Sequence, residues 1–90
     1  MQFTLYSRSY CHLCDDMLAA LHALQLPGQP FSVTVIDIDD LAEAGDSGPL
    51  NQFDTLVPVL FGNLQAPALC HYFLDEVAVR NWLATNQVAS

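Results

Sequence analysis

The segment Cys11-His12-Leu13-Cys14 places two thiols three residues apart, where an apolar stretch gives way to a helical pattern that starts near Asp15. Side chains at positions i and i+3 in the first turn of a helix have Cβ atoms about 5 to 6 Å apart, and a small adjustment brings two cysteines there to disulfide distance. Cys70 is the only further cysteine. The spacing predicts a reversible dithiol/disulfide pair.

A cysteine at the N-terminus of a helix forms its thiolate more readily, because unpaired backbone N–H groups and the helix dipole stabilise negative charge there. We expect Cys11 to be the nucleophile that attacks a disulfide, and Cys14 to resolve the mixed disulfide that follows. Arg8 would add positive potential and tune the thiolate, whereas Asp15 and Asp16 would oppose its formation.

The elements that must position this pair follow the order β, α, β, irregular helix, β, β, α. Apolar periodicity predicts strands over 2–6, 31–38, 57–61 and 68–73, and helices over 15–26 and from Asp75 onward. Glycines and a proline interrupt the pattern between 39 and 55, which predicts one broken helix or two short turns. The first strand, helix and strand form a βαβ unit, the last two strands form a hairpin, and Asp75 caps the closing helix.

Composition limits the classes of protein that this chain can belong to. Ninety residues, 52% of them hydrophobic, predict a single globular domain over 1–90 rather than a disordered chain. The net charge is -8, and Arg8 and Arg80 are the only arginines in a chain without lysine. Because so few cations cannot neutralise a row of phosphates, we expect neither nucleic acid nor an anionic membrane as a partner. Without an apolar run long enough to span a membrane or a signal peptide, we expect a cytoplasmic protein.

Five segments together are typical of a known family. They are Leu5-Tyr6-Ser7-Arg8, Cys11-His12-Leu13-Cys14, Val33 to Asp39, Val57-Pro58-Val59-Leu60 and Asp75 to Leu83. In them the chain resembles the glutaredoxin-like branch of the thioredoxin fold. The resemblance implies an α/β protein with a thioredoxin-like fold, in which a βαβ unit is followed by a ββα unit. It also implies a four-stranded mixed sheet with helices on both faces.

The resemblance also implies roles for individual residues. Pro58 is expected to be cis and to face the redox pair, and the backbone of Val57 is expected to pair with an extended substrate. Tyr10 stands where thioredoxins have a tryptophan, and with His12 it is a further candidate for substrate contact. The implied activity is that of a small thiol–disulfide oxidoreductase. Its partners would be a disulfide-containing protein or a small thiol, together with an unidentified electron donor.

Several positions depart from the glutaredoxin pattern. Glutaredoxins have Pro-Tyr between the cysteines, a Thr-Val-Pro, and a Gly-Gly followed by an acidic residue that helps to hold glutathione. This chain has His12-Leu13, Leu56-Val57-Pro58 and no Gly-Gly, and only two arginines are present to meet the carboxylates of glutathione. These departures weigh against glutathione, and we expect no bound cofactor.

Two other functions remain open for the same fold. Cys70 and His71 could complete a zinc site of three cysteines and one histidine with Cys11 and Cys14. Strand alternation places Cys70 and His71 on opposite faces, which favours a buried cysteine beside an exposed histidine and no metal. The other alternative is an interaction domain without catalysis, whose acidic surface meets a basic partner.

The acidic run Asp37, Asp39 and Asp40 has two interpretations as well. It could hold a divalent cation, because carboxylate oxygens suit such ions. A solvated strand end with a helix N-cap is the interpretation that we favour.

Overall fold

The computed structural model describes residues 2–25 and 31–85. Its elements in chain order are β1 (Gln2–Ser7), α1 (His12–Ala23), β2 (Ser32–Asp37), α2 (Ile38–Glu43), α3 (Gly48–Phe53), β3 (Val59–Phe61), β4 (Cys70–His71) and α4 (Glu76–Thr85). The expected order is confirmed. The segment between 39 and 55 forms two short helices, and Gly45 follows the first of them with a φ of 103°, a conformation that favours glycine.

The four strands form one mixed sheet in the order β2-β1-β3-β4. β1 and β2 are parallel, whereas β3 is antiparallel to β1 and β4 is antiparallel to β3. One end of the sheet therefore brings together the ends of β1 and β2, the start of β3 and the end of β4. We call this end of the sheet the exit edge, and it is made up of residues 8–11, 37–39, 54–58 and 72–75. The cysteine pair lies where the chain leaves β1 at this edge.

Alternation along β1 sends its side chains to two faces of the sheet. One face carries the core, whose buried members are Phe3, Leu5, Met17, Leu21, Phe31, Leu60 and Val79. These residues pack α1 and α4 on the sheet, and each fully buried side chain of this size contributes about 1.5 to 3 kcal/mol. On the opposite face the Tyr6 ring lies 5.0 Å from the Phe53 ring of α3 and 5.7 Å from the Phe61 ring. Helices thus cover both faces, as expected.

Within the described residues, three elements differ from the expectation by more than one residue at a boundary. α1 begins at His12 rather than near Asp15, because Cys11 itself is the N-cap. Its expected end at residue 26 lies outside the described residues. β3 begins at Val59, after the Val57-Pro58 pair, and β4 has only two residues because Tyr72, with a φ of 64°, turns the chain away.

The C-terminal helix α4 begins at the capping residue that the sequence predicts. The Asp75 Oδ1 atom accepts the N–H of Ala78 at 3.0 Å, which confirms Asp75 as a capping residue of α4. Trp82 and Leu83 pack against the core from this helix. Among the helices of the described residues, none is long and apolar enough to cross a membrane.

Candidate functional site

The sulfur atoms of Cys11 and Cys14 are joined in a disulfide at the start of α1, with Cα atoms 5.2 Å apart. This separation lies within the usual range for disulfides. Cys11 is half-buried, whereas Cys14 is 3% exposed. The expected pair is therefore formed, and its first cysteine is the one that an incoming molecule can reach.

Cys11 caps α1 with its own sulfur. The Cys14 N–H donates to the Cys11 Sγ at 3.1 Å, and the Asp15 N–H donates to the Cys11 carbonyl at 3.2 Å. Serine, threonine, asparagine and aspartate ordinarily occupy this position, with an oxygen as the acceptor. The same N–H and the positive end of the helix dipole would favour a thiolate on the Cys11 sulfur after reduction of the disulfide.

The Arg8 guanidinium is engaged with two carboxylates. Its Nε and Nη2 atoms donate to Asp39 at 3.1 and 2.9 Å, and its Nη1 atom donates to the Asp54 Oδ1 at 2.7 Å. Hydrogen bonds to Asp39, and then to Asp54, raise the pKa of Arg8. Two negative charges thus surround one positive charge. Arg8 joins the loop after β1 to α2 and to the residue after α3, and its expected effect on the Cys11 thiolate is offset by these carboxylates.

Asp37 fixes the same loop from the side of β2. Its Oδ1 accepts the N–H groups of Asp39 and Asp40 at 2.8 and 3.2 Å, and its Oδ2 accepts the Ser9 hydroxyl at 2.9 Å. Burial raises the pKa of Asp37, but the hydrogen bonds from Ser9 and from the two backbone N–H groups outweigh burial and hold it below its usual value. The interpretation of this acidic run as a helix N-cap is confirmed.

The peptide bond between Val57 and Pro58 is cis, as the resemblance implies. Pro58 is buried at the exit edge. The N–H of Val57 donates to the Phe53 carbonyl at 3.1 Å, and the N–H of Leu56 donates to the same oxygen at 2.8 Å. Because the Val57 N–H is already used within the protein, its carbonyl is the group left to pair with an extended substrate. That the Val57 backbone pairs with an extended substrate stays a prediction, and we now expect the pairing to use its carbonyl alone.

The two residues that flank Cys11 are exposed. Tyr10 has a φ of 60°, and its side chain is fully exposed. That left-handed conformation costs a residue with a side chain about 1 to 2 kcal/mol. His12 is also exposed, at the first position of α1. Both can be reached from solvent, and their part in substrate binding stays a prediction.

Two aromatic residues at the exit edge were missed as site residues by the sequence analysis, which assigned them to a strand. The Tyr72 N–H donates to the Pro58 carbonyl at 3.0 Å, and the Tyr72 hydroxyl donates to the Thr55 carbonyl at 2.5 Å. Tyr72 therefore ties the end of β4 to the segment before β3. Phe73, the next residue, is 71% exposed. The available signal was a pair of aromatic residues shortly before the helix cap Asp75.

The structure does not assemble the zinc site considered above. Cys70 packs against the core, and burial, as the largest influence, raises the pKa of its thiol. His71 is exposed on the same short strand. Across residues 2–25 and 31–85, no group of three or more cysteine, histidine, aspartate or glutamate side chains is placed to hold a metal ion.

Comparison with known proteins places these features in a family. Residues 2–84 match the family described as Glutaredoxin-like domain (DUF836). The solution NMR structure of protein Ne2328 from Nitrosomonas europaea is similar, with a TM-score of 0.70 and 34% identity over 90% of this chain and 88% of that one. The X-ray structure of protein XcR50 from X. campestris has a TM-score of 0.62 and 29% identity over 92% and 96%. No curated protein matches the chain. The family match and the two structures confirm the thioredoxin-like fold.

Proposed function

Because this chain belongs to the glutaredoxin-like domain family, we propose that it is a small thiol–disulfide oxidoreductase that reduces protein or low-molecular-weight disulfides. One observation carries the proposal: Cys11, half-buried and capping α1, is bonded to Cys14, which is buried. A reachable sulfur next to a shielded one is the arrangement that a nucleophile and its resolving partner require.

The reaction uses the two thiols in turn. The Cys11 thiolate attacks one sulfur of the substrate disulfide, so that a bond between Cys11 and the substrate forms as the substrate S–S bond breaks, and the departing thiolate takes a proton from water. Cys14 then loses its proton and attacks the Cys11 sulfur, which closes the internal disulfide and releases the second substrate thiol. Two electrons pass from the pair to the substrate. A donor thiol or a reductase must then restore the dithiol.

Neither arginine is free to hold glutathione. Arg8 is paired with Asp39 and Asp54, and the Arg80 Nη2 atom lies 2.7 Å from the Glu76 Oε1 atom. Glutathione carries two carboxylates that need such partners, so our proposal includes neither glutathione nor a bound cofactor. We place the protein in the cytoplasm, where thiols are kept reduced and a pair of cysteines with this spacing is more often catalytic than structural.

Single cysteine variants test the proposal. Reduced wild-type protein is expected to reduce insulin and hydroxyethyl disulfide, whereas Cys11→Ser is expected to leave only the uncatalysed exchange. Cys14→Ser is expected to stop at a mixed disulfide on Cys11, visible as a mass increase that dithiothreitol removes. Cys70→Ser is the matched control, and it is expected to keep its activity. Turnover that survives Cys11→Ser would reject the proposal.

A further inference from the structure

Large aromatic side chains are exposed at the exit edge around the cysteine pair. Tyr10 follows β1 and is fully exposed, while Tyr72 and Phe73 follow β4 and are 38% and 71% exposed. We call these three residues the aromatic rim. Exposed aromatic groups at the edge that carries the reactive cysteine are typical of a binding surface, because aromatic residues dominate the contacts that hold partners.

Hydrogen bonds hold the chain in place at two of the three rim residues, Tyr72 and Phe73. Tyr72 is bound at two points to the segment before β3, through its N–H to Pro58 and through its hydroxyl to Thr55. Phe73 follows directly, and its N–H donates to the His71 carbonyl at 2.7 Å. A surface that is already ordered costs less conformational entropy when a partner binds.

Main-chain pairing can supply only part of the affinity for a substrate. An extended segment that pairs with a strand edge gains most when both the N–H and the carbonyl of an edge residue are available. The N–H of Val57 is engaged with the Phe53 carbonyl. Side-chain contacts must therefore supply a larger share, and the aromatic rim is the apolar surface present at this edge.

The charges beside the rim are negative. Asp15 and Asp16 lie exposed in α1 next to the cysteine pair, and Asp75 lies two residues after Phe73. Both arginines of the chain are paired with carboxylates, and the net charge is -8. A surface of this kind attracts cations and repels anions such as glutathione.

We infer that the substrate is an extended, cysteine-containing segment of a protein disulfide, with an aromatic side chain and an arginine or lysine next to the reacting cysteine. The inference rests on the disulfide exchange proposed above and names its substrate class. Phe73 contacts the aromatic side chain, and the carboxylates beside the rim meet the cation. Electrons and protons balance as before: the dithiol becomes a disulfide, and the two halves of the substrate leave as thiols.

Four peptide dimers, each linked by one disulfide, separate the contribution of the aromatic contact from that of the charge attraction. The residues that flank the cysteine are phenylalanine or alanine on one side and arginine or glutamate on the other. Pre-reduced protein, freed of small thiols, reacts with each dimer in a single turnover, and the released peptide thiol is measured. We expect phenylalanine to accelerate the reaction roughly two- to tenfold over alanine. Arginine is expected to accelerate it roughly five- to tenfold over glutamate at low salt.

A pair of variants and a change of salt assign these preferences to the surface. Phe73→Ser is expected to bring the ratio of phenylalanine to alanine rates close to one. Leu64→Ser removes an apolar side chain that is 55% exposed at the opposite edge of the sheet, and it is expected to keep the ratio. The arginine preference is expected to fall at high salt, because the screening length shortens from about 10 Å at 0.1 M to about 3 Å at 1 M.

The outcomes separate this inference from the proposed function. Equal rates on all four dimers, or an oxidised glutathione rate above that of the phenylalanine–arginine dimer, would overturn the substrate class and leave the oxidoreductase proposal standing. A phenylalanine preference that persists in Phe73→Ser would overturn the role of that residue. Wild-type protein that reduces neither the dimers nor hydroxyethyl disulfide would overturn both.

Discussion

The helices α1 and α4 begin with the same capping contact made by different atoms. The Cys11 Sγ accepts the N–H of Cys14 at 3.1 Å, and the Asp75 Oδ1 accepts the N–H of Ala78 at 3.0 Å. A carboxylate compensates the positive end of its helix at all times at neutral pH. A cysteine sulfur does so only after the disulfide is reduced and the thiol has lost its proton.

This difference distinguishes helix N-termini whose caps stabilise the fold from the N-terminus of α1, whose cap is the candidate nucleophile. At α4, and at α2 where Asp37 is the cap, the helix dipole contributes to folding. At α1, in the reaction that we propose, the same field would stabilise the negative charge that forms on the Cys11 sulfur. The sequence contains carboxylates immediately after the pair, at Asp15 and Asp16, but none at the cap itself.

Replacing the Cys11 cap with a carboxylate is expected to have the largest effect, because it makes the start of α1 like that of α4. Cys11→Asp is expected to abolish disulfide exchange, because the cysteine that a substrate can reach is gone and Cys14 is buried. It is also expected to make the protein more stable to urea than Cys11→Ala, by about 0.5 to 2 kcal/mol, because aspartate is a good N-cap and alanine is not. Both variants lack the disulfide and are therefore matched. Equal stability of the two would contradict the capping role of Cys11.

The Asp37 cap gives the next largest effect, since this carboxylate accepts three hydrogen bonds. Asp37→Ala is expected to cost about 1 to 2 kcal/mol at pH 7. Because the pKa of Asp37 is lowered in the folded protein, its contribution is complete above the unfolded pKa and is lost as pH falls through the folded pKa. The wild-type and Asp37→Ala unfolding curves are thus expected to converge in acid. A difference in the free energy of unfolding between the two proteins that stays constant down to pH 2 would contradict stabilisation by the ionised Asp37 carboxylate.

The Asp75 cap accepts one hydrogen bond from the helix and gives a smaller effect. Asp75→Ala is expected to lower the free energy of unfolding by about 1 kcal/mol, and Asp75→Asn, which keeps an oxygen acceptor, is expected to recover most of it. Urea unfolding of the three proteins measures both changes. If Asp75→Asn is as unstable as Asp75→Ala, the side-chain hydrogen bond is not what stabilises α4.

The smallest expected effect comes from the carboxylate after Cys14. Asp15→Asn removes a negative charge from the first turn of α1, which favours the Cys11 thiolate. With hydroxyethyl disulfide, which carries no charge, the rate of exchange at pH 7 is expected to rise by less than about threefold, in keeping with the modest energies of exposed charges. Glu43→Gln, which makes the same change in net charge at the far end of α2, is expected to leave the rate unchanged. A slower Asp15→Asn would contradict the electrostatic argument.

Local signals were sufficient for much of the fold. The spacing of apolar residues predicts the order of the elements. Because aspartate is a common capping residue, the sequence also predicts Asp75 as a cap and a helix N-cap within the run Asp37, Asp39 and Asp40, of which the structure selects Asp37. The start of α1 was placed three residues late, since cysteine is not among the usual capping residues. The predicted β4 is longer than the observed strand, because nothing in the local sequence predicts that Tyr72 adopts a positive φ.

The parts of the site that escaped the sequence analysis depend on contacts between distant residues. Arg8 was expected to act on Cys11, but its partners Asp39 and Asp54 lie 31 and 46 residues further along the chain. The engagement of the Val57 N–H and the attachment of Tyr72 to Thr55 follow from how α3 and β4 end at the exit edge. Periodicity and spacing carry no information on such pairings.

Titration of Cys11 in the reduced protein tests the central claim most directly. The ultraviolet absorbance of the thiolate, followed against pH in wild-type, Cys14→Ser and Cys11→Ser proteins, assigns the midpoint to one sulfur. The account predicts a midpoint for Cys11 below the value of about 8.5 found for an ordinary cysteine, present in Cys14→Ser and absent from Cys11→Ser. A Cys11 midpoint at or above that value would contradict the claim that the N-terminus of α1 stabilises the Cys11 thiolate.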